Sequence, residues 1–145
     1  CEREKIELHY NFSELKELEG SLRVGNITLF RDFFSDSSLI SFCNGGKEAE
    51  KFCLDTNVDH HLPSSNLVSS SGGFGGTTGL IKIKEGKNEL NLRWDPSQTA
   101  VLPLLQNNFY SPNALTRIFF SMLEKDDTSK KKGDVGSFCL SITPD

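Results

Sequence analysis

Residues 80–94 constrain this chain more than any other stretch. Leu80-Ile81-Lys82-Ile83-Lys84 alternates apolar and polar side chains, Glu85-Gly86-Lys87-Asn88 supplies a turn, and Glu89-Leu90-Asn91-Leu92-Arg93-Trp94 alternates again. Successive side chains of a strand point to opposite faces, so a period of two marks a half-buried strand and conflicts with the 3.6 period of a helix. Two such runs across a short glycine-bearing turn predict a β-hairpin. Its core face carries Ile81 and Ile83 on one strand and Leu90, Leu92 and Trp94 on the other. Asp95-Pro96 ends it, because proline has no N–H to give to a ladder.

The same pattern recurs. Ile6 to Phe12 alternates, with Ile6, Leu8 and Tyr10 on the apolar side and His9 facing solvent. Leu22 to Phe34 is rich in β-formers, and Gly25-Asn26 inside it marks a bulge or a turn. Leu39 to Phe42 is a short apolar run, and Glu48 to Leu54 is compatible with either a strand or a helical turn. Pro103 confines the apolar segment Ala100–Leu105 to a sheet edge or a loop. Leu115 to Leu123 has a mixed period, but Ile118, Phe119 and Phe120 favour a strand. With the alternating run Val135–Ile142 it predicts a second hairpin across the charged loop 126–134. Ser13 to Glu19 holds at most one helical turn before Gly20.

Short strands with one apolar face each predict an all-β fold, a single antiparallel β-sandwich or partial barrel with long loops and at most short helical turns. Residues 1–5 read as a polar N-terminal tether and 6–145 as one β-rich domain. A chain of 145 residues hides roughly two-thirds of its unfolded surface, enough for an independent core. The expected core includes Ile6, Leu8, Tyr10, Val24, Leu29 and Trp94 together with Phe120, Phe138 and Leu140. The segment 55–79 reads as a mobile loop, with Gly72-Gly73-Phe74-Gly75-Gly76 as a flexible connection.

Charge and cysteines bound the function. A net charge of −4 argues against a nucleic-acid partner. No apolar run approaches the ~20 residues that span a bilayer as a helix. Cys1 as first residue resembles the N-terminus of a bacterial lipoprotein after signal cleavage, where the cysteine carries lipid. Lipid on Cys1 leaves three thiols; without it, two disulfides are open to the chain. Cys43 and Cys53 flank the turn-like Asn44-Gly45-Gly46, which makes them the preferred bridge, against a reading in which Cys43, Cys53 and Cys139 are all buried small hydrophobes.

Catalytic signatures are sparse. There is no Gly-x-Ser-x-Gly elbow, and the glycine run lacks the lysine of a phosphate loop. Asp59, His60 and His61 are the nearest approach to a metal-ligand set, but their spacing fits no metal motif and a solvated loop is expected. No cofactor is implied. Phe74, an aromatic amid glycines, is a candidate partner anchor. Asn11-Phe12-Ser13 and Asn26-Ile27-Thr28 fit the N-glycosylation pattern, as composition alone would produce.

The expected role is therefore a non-enzymatic, extracytoplasmic structural or interaction domain. Its partners would be other envelope or extracellular proteins, and lipid on Cys1 would hold it at the membrane as an accessory subunit. Loops 55–79 and 126–134 are the expected contact surfaces. Three alternatives stand beside it. One is a ligand- or carbohydrate-binding sandwich, which requires an exposed aromatic pair or a polar sheet face. The second is a secreted disulfide-bonded domain without lipid. The third is a small enzyme or metal site using the His60-His61 loop.

Overall fold

The structure is a computed structural model and describes residues 4–12, 21–54, 73, 75–108, 115–123 and 136–144. Nine strands follow one another: β1 Ile6–Phe12, β2 Leu22–Phe30, β3 Leu39–Phe42, β4 Glu50–Cys53, β5 Leu80–Glu85, β6 Asn88–Arg93, β7 Leu102–Asn108, β8 Leu115–Leu123 and β9 Gly136–Pro144. They form two antiparallel sheets, one ordered β1-β9-β6-β5-β3-β4 and one ordered β2-β8-β7. No helix occurs among the described residues. The protein is an all-β sandwich.

The hairpin β5–β6 forms in the expected register, Ile81 opposite Leu92 and Ile83 opposite Leu90. Two residues close it, with Gly86 at φ 56°, a left-handed conformation that side chains resist. Ile81, Ile83 and Leu92 are fully buried. They meet Ile40 of β3, Leu140 of β9 and, from the other sheet, Val24, Ile118 and Phe120 in one apolar cluster. Trp94 belongs to it, its indole edge-on to Phe120 with centroids 5.2 Å apart. Trp94 is thus a core residue and cannot serve in an exposed aromatic pair for a sugar.

Gly25-Asn26 is a bulge inside one continuous strand, for the register of β2 against β8 shifts between Val24 and Ile27. Gly25 has φ +65°, and a Cβ there would stand 3.0 Å from Phe120 Cδ2. Its N–H donates to Tyr10 Oη at 3.2 Å, tying the two sheets together. Glu50–Cys53 resolves as strand, and Pro103 sits on β7, one of the two edge strands of the small sheet.

Three expectations fail. β8 and β9 are not a hairpin: β8 lies between β2 and β7, β9 between β1 and β6, so the chain crosses from one sheet to the other between them. Both strands carry apolar faces, but those faces oppose each other across the core. Ile6 is 58% exposed, because β1 is an edge strand and begins beyond the cover of the second sheet. The glycine run is no loose connection where it is described. Gly75 N–H donates to Asn44 Oδ1, Thr77 N–H to the Cys43 carbonyl at 2.8 Å, and Gly45 N–H to Thr77 Oγ1 at 2.8 Å. A Cβ on Gly76 would meet the Trp94 ring at 2.8 Å, and one on Gly79 would meet the Trp94 carbonyl oxygen at 2.1 Å. These glycines let the backbone close over Trp94.

Candidate functional site

The loop from Phe30 to Leu39 joins the small sheet to the large one. Phe33 and Phe34 N–H both donate to the Phe30 carbonyl at 3.0 Å, and Ser38 N–H donates to the Ser35 carbonyl at 3.1 Å. These turns send the side chains apart. Phe34 packs against the core, whereas Phe30 and Phe33 are each 63% exposed. Arg31 and Asp36 form an ion pair across the loop.

Glu85, the last residue of β5, holds this loop in place. Its carboxylate accepts from Ser35 N–H, Ser35 Oγ, Ser38 Oγ and, at 3.2 Å, Ser37 Oγ. Donors of this kind stabilise the ionised form, and they hold the Glu85 carboxyl at about 2, the Ser35 hydroxyl contributing most, then Ser38 and the Ser35 amide. Ser38 is itself buried, and its carbonyl accepts from Leu54 N–H at 3.0 Å, so the clasp reaches the core side of β4. The result is two exposed phenylalanines on a loop that has few conformations to lose on contact.

Register places this loop relative to the rest. Leu39 lies opposite Lys84, one residue from Glu85. Ile6 lies opposite Ile142, which lies opposite Leu92, and running back from Ile6 the chain heads toward the Asn88 turn. The loop, the β5–β6 turn and the start of β1 therefore share one end of the sandwich. All four exposed large hydrophobics among the described residues, Ile6, Phe30, Phe33 and Leu39, belong to segments at this end.

A second group stands on the outer face of the large sheet. His9 and Cys139 are cross-strand neighbours, with Nε2 3.9 Å from Sγ and 3.8 Å from Glu7 Oε2. Lys5 pairs with the other oxygen of Glu7, and these contacts lower the Glu7 carboxyl, the Lys5 hydrogen bond most. No local pattern signals this meeting, because it depends on the pairing of β1 with β9. A nucleophile–base–carboxylate relay needs the two ring nitrogens to serve different partners. Here thiol and carboxylate approach the same nitrogen, so the group is not such a relay. Among the described residues, no three His, Cys, Asp or Glu side chains are arranged to hold a metal ion.

The expected Cys43–Cys53 bridge is not formed. Cys53 lies opposite Leu39, whereas Cys43 follows Phe42, the partner of Glu50. The two cysteines sit at opposite ends of the β3–β4 pair, about 13 Å apart along the strands, far beyond a disulfide's Cα span of about 6 Å. Cys43, Cys53 and Cys139 are free thiols and half-buried. Cys1, Asp59, His60, His61 and Phe74, with loop 126–134 and most of 55–79, lie outside the described residues.

Comparison with family models, curated proteins and solved structures finds no match for the chain. Phe30 and Phe33 escaped the sequence reading because both sit in a run of β-forming apolar residues, where exposure is set by the turn at Phe30–Phe34.

Proposed function

We propose that this protein is a non-enzymatic, extracytoplasmic contact domain that engages a protein assembly of the cell envelope through the Phe30–Leu39 loop. The observation that carries the reading is the pairing of exposure with rigidity: Phe30 and Phe33 stand in solvent on a loop clasped by Glu85. Large aromatics dominate interface energetics, and a preorganised loop loses less entropy on binding. The sandwich beneath supplies a rigid base. A disulfide does not enter this reading.

The double variant F30S/F33S should keep its stability to within about 0.5 kcal/mol, as surface substitutions do, yet drop out of its envelope assembly on size-exclusion chromatography. Retention of the variant in that assembly defeats the reading.

One observation favours a carbohydrate-binding alternative. Lys51, Ser41, Lys82, Asn91 and Thr143 line up as one polar row across the outer face of the large sheet. Lys82 and Asn91 both donate to Glu89 Oε1, at 3.2 and 3.3 Å. Saturable heat on titration with neutral oligosaccharides, lost in N91A, would favour that alternative over the loop.

A further inference from the structure

We infer that β1 is the seam of a weak symmetric dimer, in which the same strand of a second copy extends the large sheet antiparallel across a two-fold axis at Leu8. This surface is separate from the Phe30–Leu39 loop. Every sheet edge presents backbone N–H and C=O groups that another strand can pair, and folded proteins blunt their edges by shortness, bulges, proline or cover. Three of the four edges here are blunted. β4 has four residues, β2 carries the bulge at Gly25-Asn26, and β7 carries Pro103 and the bridge from Gly73 to Leu104. β1 is the exception. It has seven residues with no proline or glycine, and its ladder to β9 runs without a shift from Ile6–Ile142 to Phe12–Gly136. Its other side has no strand beside it among the described residues.

The side chains of β1 choose the partner. On the core side Ile6 is 58% exposed, and Leu8, Tyr10 and Phe12 are only half-buried. On the outer side Glu7, His9 and Asn11 are exposed. Residues directly opposite in an antiparallel pair share a face. A copy centred on Leu8 sets Leu8 against Leu8 and Ile6 against Tyr10, an aromatic against a β-branched side chain. Tyr10 is already fixed for this contact: its hydroxyl accepts from Gly25 N–H, and its ring stacks on Phe138 with centroids 6.2 Å apart. On the outer face the same register sets Glu7 against His9 of the second copy, twice. An imidazole N–H can donate to a carboxylate whether the ring is neutral or charged. Glu7 already touches Lys5 and, at 3.8 Å, His9 of its own strand, so each carboxylate comes to lie between donors of both copies. Lys5 then faces Asn11. Other registers lose this match. Centring on Glu7 opposes two carboxylates, and centring on His9 leaves Glu7 against Asn11. A slip of one residue turns the apolar face outward. The charges that would repel an arbitrary strand therefore fit a second copy of this one.

Sedimentation velocity on the full chain should show reversible dimers at concentrations up to about 1 mM, because one pair of edge strands buries less than a stable interface does. H9E, which opposes carboxylates across the seam, should weaken the dimer about tenfold. E7K/H9E exchanges the signs and keeps them opposite, so it should restore the dimer. In wild type, amide exchange of residues 6–12 should slow as concentration rises, while that of Glu50–Cys53 on the β4 edge stays unchanged. That measurement stands apart from any effect of the substitutions on folding. A chain that remains monomeric at the concentration limit overturns the proposal. So does a dimer that H9E leaves intact, one that E7K/H9E does not restore, or one that protects β4 or the Phe30–Leu39 loop in place of β1.

Discussion

Strands β8 and β9 have the same length and similar content, yet they are built for different surroundings. In β9 the buried Phe138 and Leu140 alternate with half-buried Cys139 and Ser141 and exposed Ser137, the signature of one dry face and one wetter one. In β8 the consecutive residues Ile118, Phe119, Phe120 and Ser121 are all buried. Ile118 and Phe120 enter the inter-sheet core, while Phe119 and Leu104 pair on the opposite face, outside that core. Gly73 bridges to Leu104 there, and the Arg23 guanidinium stands 5.5 Å from the Phe119 ring centroid. A strand covered on both faces loses its alternation. That is why β8 read as mixed and β9 read cleanly, and why two apolar strands in succession were mistaken for partners.

Truncation on the outer faces puts this contrast at risk. Phe119→Ala should cost about 3 kcal/mol by chemical denaturation, the scale of a buried aromatic. His9→Ala, at the equivalent outer position of the large sheet, should stay within about 0.5 kcal/mol. Equal costs would mean that the two outer faces are alike. Next in size is Gly79→Ala. Its φ of +66° and the Trp94 carbonyl 2.1 Å from the new Cβ leave no relaxed arrangement. A loss of about 2–3 kcal/mol is expected from strain and overpacking together. A variant as stable as wild type would mean that the glycine segment does not close over Trp94.

The smallest effect is electrostatic and sharpens the contrast between the clasped loop and the sheet edges. The Glu85 carboxyl is lowered from 4.5 to about 2 in the folded protein. A depressed carboxylate contributes stability that is complete above its unfolded value and lost as pH falls through its folded value. Glu85→Gln should therefore lower stability at pH 7 and flatten the fall of stability between pH 4.5 and 2. Denaturation curves recorded at several pH values across that window check it. An unchanged acid limb would show that the serines do not grip the carboxylate.

How far the sequence could be read follows from where water sits. The faces and the turn of the β5–β6 hairpin were legible because alternation and turn glycine are local, although each strand runs one residue further into the turn than the pattern suggests. Gly25-Asn26 was legible as a bulge or a turn and Pro103 as an edge or a loop, and the structure chose the bulge and the edge. Each follows from what one residue's backbone can do. The exposure of Phe30 and Phe33, the meeting of His9 with Cys139 and the separation of Cys43 from Cys53 were not legible. Each depends on which strand lies beside which, and composition does not encode that.

The sequence by itself therefore determined that the chain forms strands, where the clearest of them turn, and which faces of those strands shun water, since these follow from side-chain period and backbone sterics within a few residues. Only the tertiary structure decided the order of strands in each sheet, the clasp of Glu85 on three serines some fifty residues away, and the end of the molecule that keeps its aromatics in solvent. Contacts between distant segments are selected by packing the whole core at once, and no local pattern carries that information.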